Sequence, residues 1–220
     1  MDIALLGGTG DIGEALALRL AYDTNHAIRI GSREAAKAET KVEAYLNELD
    51  SRGVEADVTG HENPEAAAGA DVVVFALPAY HLADTIAAVA DELDGVLVTP
   101  AVGMKRDDDG LHYNPPGAGS VTALARDAAP DDVPVVGAFH NLPAGRLADL
   151  DATFDWDTVV VGDDEDAKQT VMDVAEGIHG LRALDGGAIA NASEVEAITP
   201  LLVNLASENE GLHSLGVTFR

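Results

Sequence analysis

ALLGGTGDIGEALALRL, residues 4–20, runs an apolar segment into a cluster of glycines and then into a helical pattern. Ile3–Leu6 reads as a buried strand. From Asp11 to Tyr22, Ile12, Ala15, Leu16 and Leu20 recur on one helical face. Between the two, Gly8-Thr9-Gly10-Asp11-Ile12-Gly13 fits G-x-G-x-x-G in a strand–turn–helix setting. The leading glycines permit a tight turn and close backbone approach to a pyrophosphate. Gly13 lets the helix pack on the strand, and the helix N-terminus attracts the anion.

The second strand, Ala27–Ile30, decides which dinucleotide that turn suits. An NAD site expects an acidic side chain there to hold the adenosine ribose. This chain instead has Ser32 and Arg33 after Gly31, with Lys37 one helical turn beyond. A hydroxyl, a guanidinium and an ammonium suit a 2′-phosphate, which a carboxylate would repel. The sequence therefore points to NADP.

Strand and helix patterns continue to alternate. A polar, alanine-rich helix is expected over 34–51, a fully apolar strand at 71–75, a helix over 79–90 and a strand at 96–98. Further short strands are expected at 133–136 and 158–161. This order predicts an α/β fold, a Rossmann-type doubly wound parallel sheet with helices on both faces. In the last thirty or so residues, Ser193-Glu194-Val195-Glu196 has the form of a capping box. Val195, Ile198, Leu201, Leu202 and Leu205 follow at helical spacing, with Pro200 expected to kink or restart the helix. We read a small C-terminal cap packed on the sheet, dividing the chain into residues 1–145, which bind the nucleotide, and 146–220, which complete the site.

Composition narrows the class. With 39 acidic residues against 13 basic ones, the net charge of −26 opposes nucleic acid and anionic lipid as partners. Hydrophobic content of 47% argues against disorder despite that charge. No apolar run reaches a membrane span of about 20 residues. The N-terminus has no basic flank of the kind a signal peptide carries, so a cytoplasmic location is expected. With no cysteine, disulfides and thiolate metal sites are excluded. The scattered histidines show no metal spacing. An acidic, lysine-poor surface on an ordered core resembles proteins of salt-loving microbes, and predicts stability that falls at low salt.

The reacting partner of the nucleotide is less legible. None of Tyr22, Tyr45, Tyr80 or Tyr113 has a lysine four residues later, which argues against a short-chain dehydrogenase. His140, in VVGAFHNLPAGRL, follows a strand that should end near the cofactor. The acidic runs 107–109 and 163–166 read as a solvated turn and a helix start.

Together, ALLGGTGDIGEALALRLA, IGSREAAKAE, ALPAYH, AFHNLPAGRLADLD, FDWDTVVVGDDEDAK, GLRALDGG and ITPLLVNL resemble the F420-dependent NADP reductase family of archaea and some bacteria, nearly end to end. The resemblance implies a Rossmann protein with a small C-terminal subdomain, usually a homodimer, that passes a hydride between the deazaflavin coenzyme F420 and NADP. The acidic, lysine-poor composition implies a haloarchaeal member. Carried over by residue, Gly8 to Gly13, with Thr9, Gly10, Asp11 and Ile12, would meet the NADP phosphates. Ser32, Arg33 and Lys37 would hold the 2′-phosphate, and Ala79 would make a backbone contact. Val102 and Ala144 would line the nicotinamide half. His140, Leu142 and Leu215 would hold the deazaflavin, with His140 positioning the ring. Both partners are complete hydride carriers, so the protein's task is to stack two rings at near-attack separation, roughly 3–3.5 Å. No strong acid–base constellation is required. Two other readings stay open: an NADP-dependent reductase of a small organic substrate, and a non-enzymatic NADP sensor.

Overall fold

A computed structural model describes all residues, Met1–Arg220. The chain runs β1 (Asp2–Leu6), α1 (Asp11–Asp23), β2 (Ala27–Ser32), α2 (Ala35–Ser51), β3 (Val58–Glu62), α3 (Asn63–Ala67), β4 (Val72–Phe75), α4 (Ala79–Ala88) and β5 (Val96–Thr99). A hairpin of β6 (Met104–Asp107) and β7 (Gly110–Tyr113) precedes α5 (Val121–Ala128), β8 (Val135–Gly137) and α6 (Ala144–Ala148). The chain closes with β9 (Trp156–Gly162), α7 (Glu165–Glu176), β10 (Leu181–Asp185), α8 (Ala192–Glu196) and α9 (Ile198–Glu208).

Eight strands form one sheet in the order β10-β9-β8-β5-β4-β1-β2-β3. From β3 to β8 every pairing is parallel; β9 turns back antiparallel to β8, and β10 follows β9 in parallel. The expected parallel sheet is therefore mixed at one edge, because the α6 segment returns the chain from the carboxyl end of β8 without crossing the sheet. The strand order reverses between β1 and β4, and open α/β sheets bind ligands in the crevice at such a point. Val72–Phe75 and Val96–Thr99 are buried on both faces, as helices on either side require. One apolar layer, with Leu16, Leu20, Ile28 and Val42, lies on one face; the other contains Leu82, Ile86, Val121 and Leu97.

Sequence patterns missed β3 and β10, which are short and only half apolar, and the exposed β6–β7 hairpin. The acidic run at 107–109 forms that hairpin's turn, where the Asp109 N–H donates to Asp107 Oδ1 at 3.0 Å. Asp164 caps α7, its carboxylate accepting from the Ala167 N–H.

The C-terminal segment departs from its reading. Ser193 and Glu196 form no capping box, because Ser193 lies inside α8 and donates to Glu194. Glu196 is instead fully buried and accepts from the Val121 and Thr122 N–H groups and from the hydroxyls of Thr122 and Tyr113. It bolts α8 to the start of α5 and to the hairpin. Burial pushes its pKa up while those four donors oppose the rise. The helix restarts at Ile198, two residues before Pro200, as the proline led us to expect. Its apolar row is not packed on the sheet: Leu201 and Leu205 are 57% and 40% exposed, and α9 meets the hairpin through the Asn204 carboxamide and the Leu111 backbone.

Candidate functional site

The carboxyl ends of β2, β1, β4, β5 and β8 lie side by side, and most of the residues singled out in the sequence sit along that edge. Ser32 ends β2 and Arg33 follows it, the glycine turn follows β1, and Ala79 opens α4 after β4. Val102 follows β5 and His140 follows β8. From β1 to β8 is three strand spacings, about 14 Å.

A crevice of about 490 Å³ opens at the switch point, lined by Gly7, Thr9, Gly10, Ser32, Arg33 and Lys37 on one side and by Ala76–Pro78 and α4 on the other. The turn depends on its glycines. Gly7 has φ +83, and a Cβ there would stand 2.5 Å from the Ala76 carbonyl oxygen. A Cβ on Gly13 would stand 2.5 Å from the Gly7 oxygen and 2.6 Å from the Gly8 Cα, so α1 packs on the turn only without one. Gly10 is the N-cap residue of α1, with no side-chain cap. The N–H groups of Thr9, Asp11 and Ile12 have no acceptor within the protein, so donors and helix terminus converge on one spot.

Across the turn, Arg33 and Lys37 form no salt bridge, in a chain with three acidic residues for every basic one. Ser32 is nearly buried and its hydroxyl accepts from the Glu34 N–H at 3.4 Å. Two cations without a counter-charge beside a hydroxyl fit a phosphate. Asn63, Leu77 and His81 also line the crevice, and the Asn63 Oδ1 is buried without a partner. Sequence reading assigned none of them a role: Leu77 and His81 stand in the ALPAYH block without a distinct chemical signal, and Asn63 belongs to no motif.

The His140 end is built differently. Phe139 is buried at φ +66, a strained conformation for an aromatic residue. Three side chains hold the turn: Thr158 Oγ1 accepts from the Phe139 N–H at 3.0 Å, Thr199 donates to the His140 carbonyl at 2.6 Å, and Asn141 Nδ2 donates to the Asp157 carbonyl at 2.7 Å. Gly137 leaves room for the imidazole, since a Cβ there would lie 3.0 Å from His140 Cε1. His140 is buried and neither ring nitrogen has a partner. Burial pushes its pKa down to about 4, so the ring is neutral at neutral pH. Leu142 is buried beside it, and Ala144 opens α6. Leu215 lies in a second groove, with Arg146, Thr153 and the stacked rings of Phe154 and Trp156. The grooves that define Leu215 and the glycine turn share no residue.

A glycine turn at the switch point with a cationic pocket behind the second strand defines an NADP-binding Rossmann protein. Comparison with known proteins specifies it further. Residues 2–103 match the model of the family described as NADP oxidoreductase, coenzyme F420-dependent. The chain is 42% identical to the F420-dependent NADP reductase of Methanocaldococcus jannaschii, over 93% of this chain and 92% of that one. It is 38% identical to the enzyme of that name from Methanothermobacter thermautotrophicus, over 95% and 90%. A crystal structure of a candidate F420-dependent NADP-reductase from Arthrobacter sp. FB24 superposes with a TM-score of 0.75 at 25% identity, covering 94% of each chain. A UDP-D-ManNAc dehydrogenase from Pyrococcus horikoshii shares the fold, with a TM-score of 0.65 at 17% identity over 94% of this chain and 50% of that one. The chain belongs to the F420-dependent NADP reductase family: it is an oxidoreductase whose coenzymes are NADP and F420.

Proposed function

We propose that NADP lies in the crevice above β1 and β4, that the deazaflavin lies against the His140 turn, and that the hydride passes directly from ring to ring. The two coenzymes supply the redox chemistry between themselves. The observation that carries this placement is the sheet edge. Unpaired cations after β2 and free N–H groups after β1 stand at one end of it, and an unpartnered imidazole follows β8, about 14 Å from β1.

The chain's own residues then have separable tasks. Thr9, Asp11 and Ile12 present N–H groups to the pyrophosphate, with Gly8, Gly10 and Gly13 keeping the surface low. Ser32, Arg33 and Lys37 hold the 2′-phosphate. Ala79, Val102 and Ala144 are small or half-buried residues that come after β4, β5 and β8, and they line the path toward the nicotinamide. His140 orients the deazaflavin through a ring nitrogen. A group that titrates near pH 4 is poorly matched to shuttling protons at neutral pH. Leu142 packs behind His140. Leu215 borders the outer part of that site across α6, where its groove also offers the Arg146 guanidinium.

Residues 1–145 on this reading bind NADP, while 146–220 complete the deazaflavin side, although β9 and β10 extend the same sheet. The exposed apolar residues Leu201, Val203, Leu205 and Leu212 support a homodimer. No helix is long and apolar enough to cross a membrane. The absence of cysteine and the acidic surface fit a cytoplasmic enzyme of a salt-rich cell.

The test is direct. Reduced F420 and NADP mixed with the protein in molar KCl should give oxidised F420, followed by its visible absorbance, and NAD should be a poor substitute. NADP binding without F420 turnover would favour a sensor or a reductase of another substrate.

A further inference from the structure

The glycine turn is held from beneath by a residue outside the crevice. Tyr45 lies on α2, two helical turns beyond Lys37, and is 3% exposed. Its hydroxyl is 2.7 Å from the Gly8 carbonyl oxygen and 3.5 Å from Glu14 Oε2. That carboxylate oxygen already accepts from Lys41 Nζ at 2.7 Å. A phenol has one proton to give, and the shorter, buried contact takes it.

The bond matters because of which peptide it holds. Within the turn, the Gly8 N–H donates to Leu5 and the Gly7 carbonyl accepts from the Gly10 N–H. The peptide joining Gly8 to Thr9 has no backbone hydrogen bond at either end, so Tyr45 is its sole anchor. Every peptide bond in the chain is trans, so the C=O of Gly8 and the N–H of Thr9 point in opposite directions. Drawing the carbonyl down toward α2 turns the Thr9 N–H up toward the crevice that Thr9 lines. Without the anchor, a peptide that follows a glycine rotates easily, because Gly8 has no Cβ to restrict its ψ.

We propose that Tyr45 is a positioning residue for the NADP pyrophosphate. It acts through the Gly8–Thr9 peptide, which it orients so that the Thr9 N–H faces the phosphate. The proposal rests on the placement of the pyrophosphate at the Thr9–Ile12 turn. One helix would then set both anionic contacts: α2 carries Lys37 to the 2′-phosphate at its start and Tyr45 to the underside of the turn in its middle. A donor lost at the pyrophosphate would leave the 2′-phosphate contact untouched.

That separation supplies the test. Tyr45→Phe keeps the ring and its packing and removes the proton donor. Its affinity for NADP should fall about tenfold, while its affinity for 2′-AMP, which has the 2′-phosphate but no pyrophosphate, should be unchanged, as should the KM for F420. Equal weakening of both ligands would mean that α2 itself has loosened, and unchanged NADP affinity would mean that the anchor is idle; either overturns the proposal. Arg33→Ala is the companion variant and should weaken both ligands. If it weakens neither, the nucleotide placement fails, separately from the role of Tyr45. A measurement on the unmodified protein needs no variant to fold: the Thr9 amide should exchange freely in the apo enzyme and become protected when NADP binds. An amide that stays unprotected in the NADP complex would also overturn the proposal.

Discussion

On the proposed placement, the nucleotide end of the sheet edge and the His140 end would recognise their ligands with opposite materials. At the glycine turn the recognising groups are backbone N–H donors and two long cations, all outside the core and none neutralised by the protein. At the His140 turn they are side chains inside the core, on a strained backbone held by Thr158, Thr199 and Asn141. A phosphate carries its charge with it and rewards donors that stand free. A flat, largely apolar ring rewards a buried surface with one or two polar atoms fixed in place. The difference predicts that substitutions of the ligand-facing cations at the first end act on affinity and leave stability alone, and that changes at the second end act on both.

The largest effect should come from reversing a charge at the nucleotide end. Arg33→Glu removes a charge-assisted contact and sets a carboxylate against the 2′-phosphate, so NADP affinity should fall on the order of a thousandfold. Arg33 has no ion pair to lose, so the melting temperature should barely move. Titration of NADP and of NAD, beside a thermal melt, checks both halves. Retained NADP affinity would dissolve the contrast between the two ends.

That end was also the legible one. G-x-G-x-x-G after a strand has a single physical reading, and Ser32, Arg33 and Lys37 lie within six residues of each other. Thr9 and Gly10 of that motif line one crevice wall together with Ser32, Arg33 and Lys37. The alternation of strands and helices announced the sheet for the same reason, because apolar runs in two-sided burial leave little ambiguity. The His140 end was legible only as a histidine after a strand. Its supports, Thr158 and Thr199, come from β9 and from the start of α9, and no local pattern marks a tertiary hydrogen bond. Glu196 illustrates the limit. Its spacing from Ser193 satisfied a local rule, yet the carboxylate was taken by four donors from α5 and the hairpin, which lie 74–83 residues away. Leu201 and Leu205 failed in the reverse sense: helical spacing was right, but spacing does not say what covers the face.

The next effect belongs to the buried end and is read by pH. His140 titrates near pH 4 in the folded chain and near 6.5 when unfolded. Between those values the unfolded state binds a proton that the native state does not, so stability is complete above pH 6.5 and is lost as pH falls toward 4. The full loss is about 3 kcal/mol. Carboxylates contribute to acid unfolding in the same range, so the measurable quantity is a difference. Wild type should lose about 3 kcal/mol more than His140→Gln between pH 7 and pH 4 in chemical denaturation. Parallel curves would mean that His140 is solvated, and that the buried character assigned to this end is wrong.

The smallest effect we draw tests whether the nucleotide end is free of packing cost. It is free at its cations but not at its glycines. In Gly13→Ala the new methyl meets backbone atoms of Gly7 and Gly8 at 2.5 and 2.6 Å, which no rotamer change can relieve. Either α1 slides along β1 or the turn lifts, and overpacking of this kind costs about 2 kcal/mol. Both routes displace the free N–H groups, so NADP affinity should fall with stability, about tenfold, while the KM for F420 stays fixed. Arg33→Glu and Gly13→Ala then divide the nucleotide end itself. A variant that loses affinity alone marks the groups that face the ligand. One that loses affinity and stability together marks the backbone on which those groups are mounted.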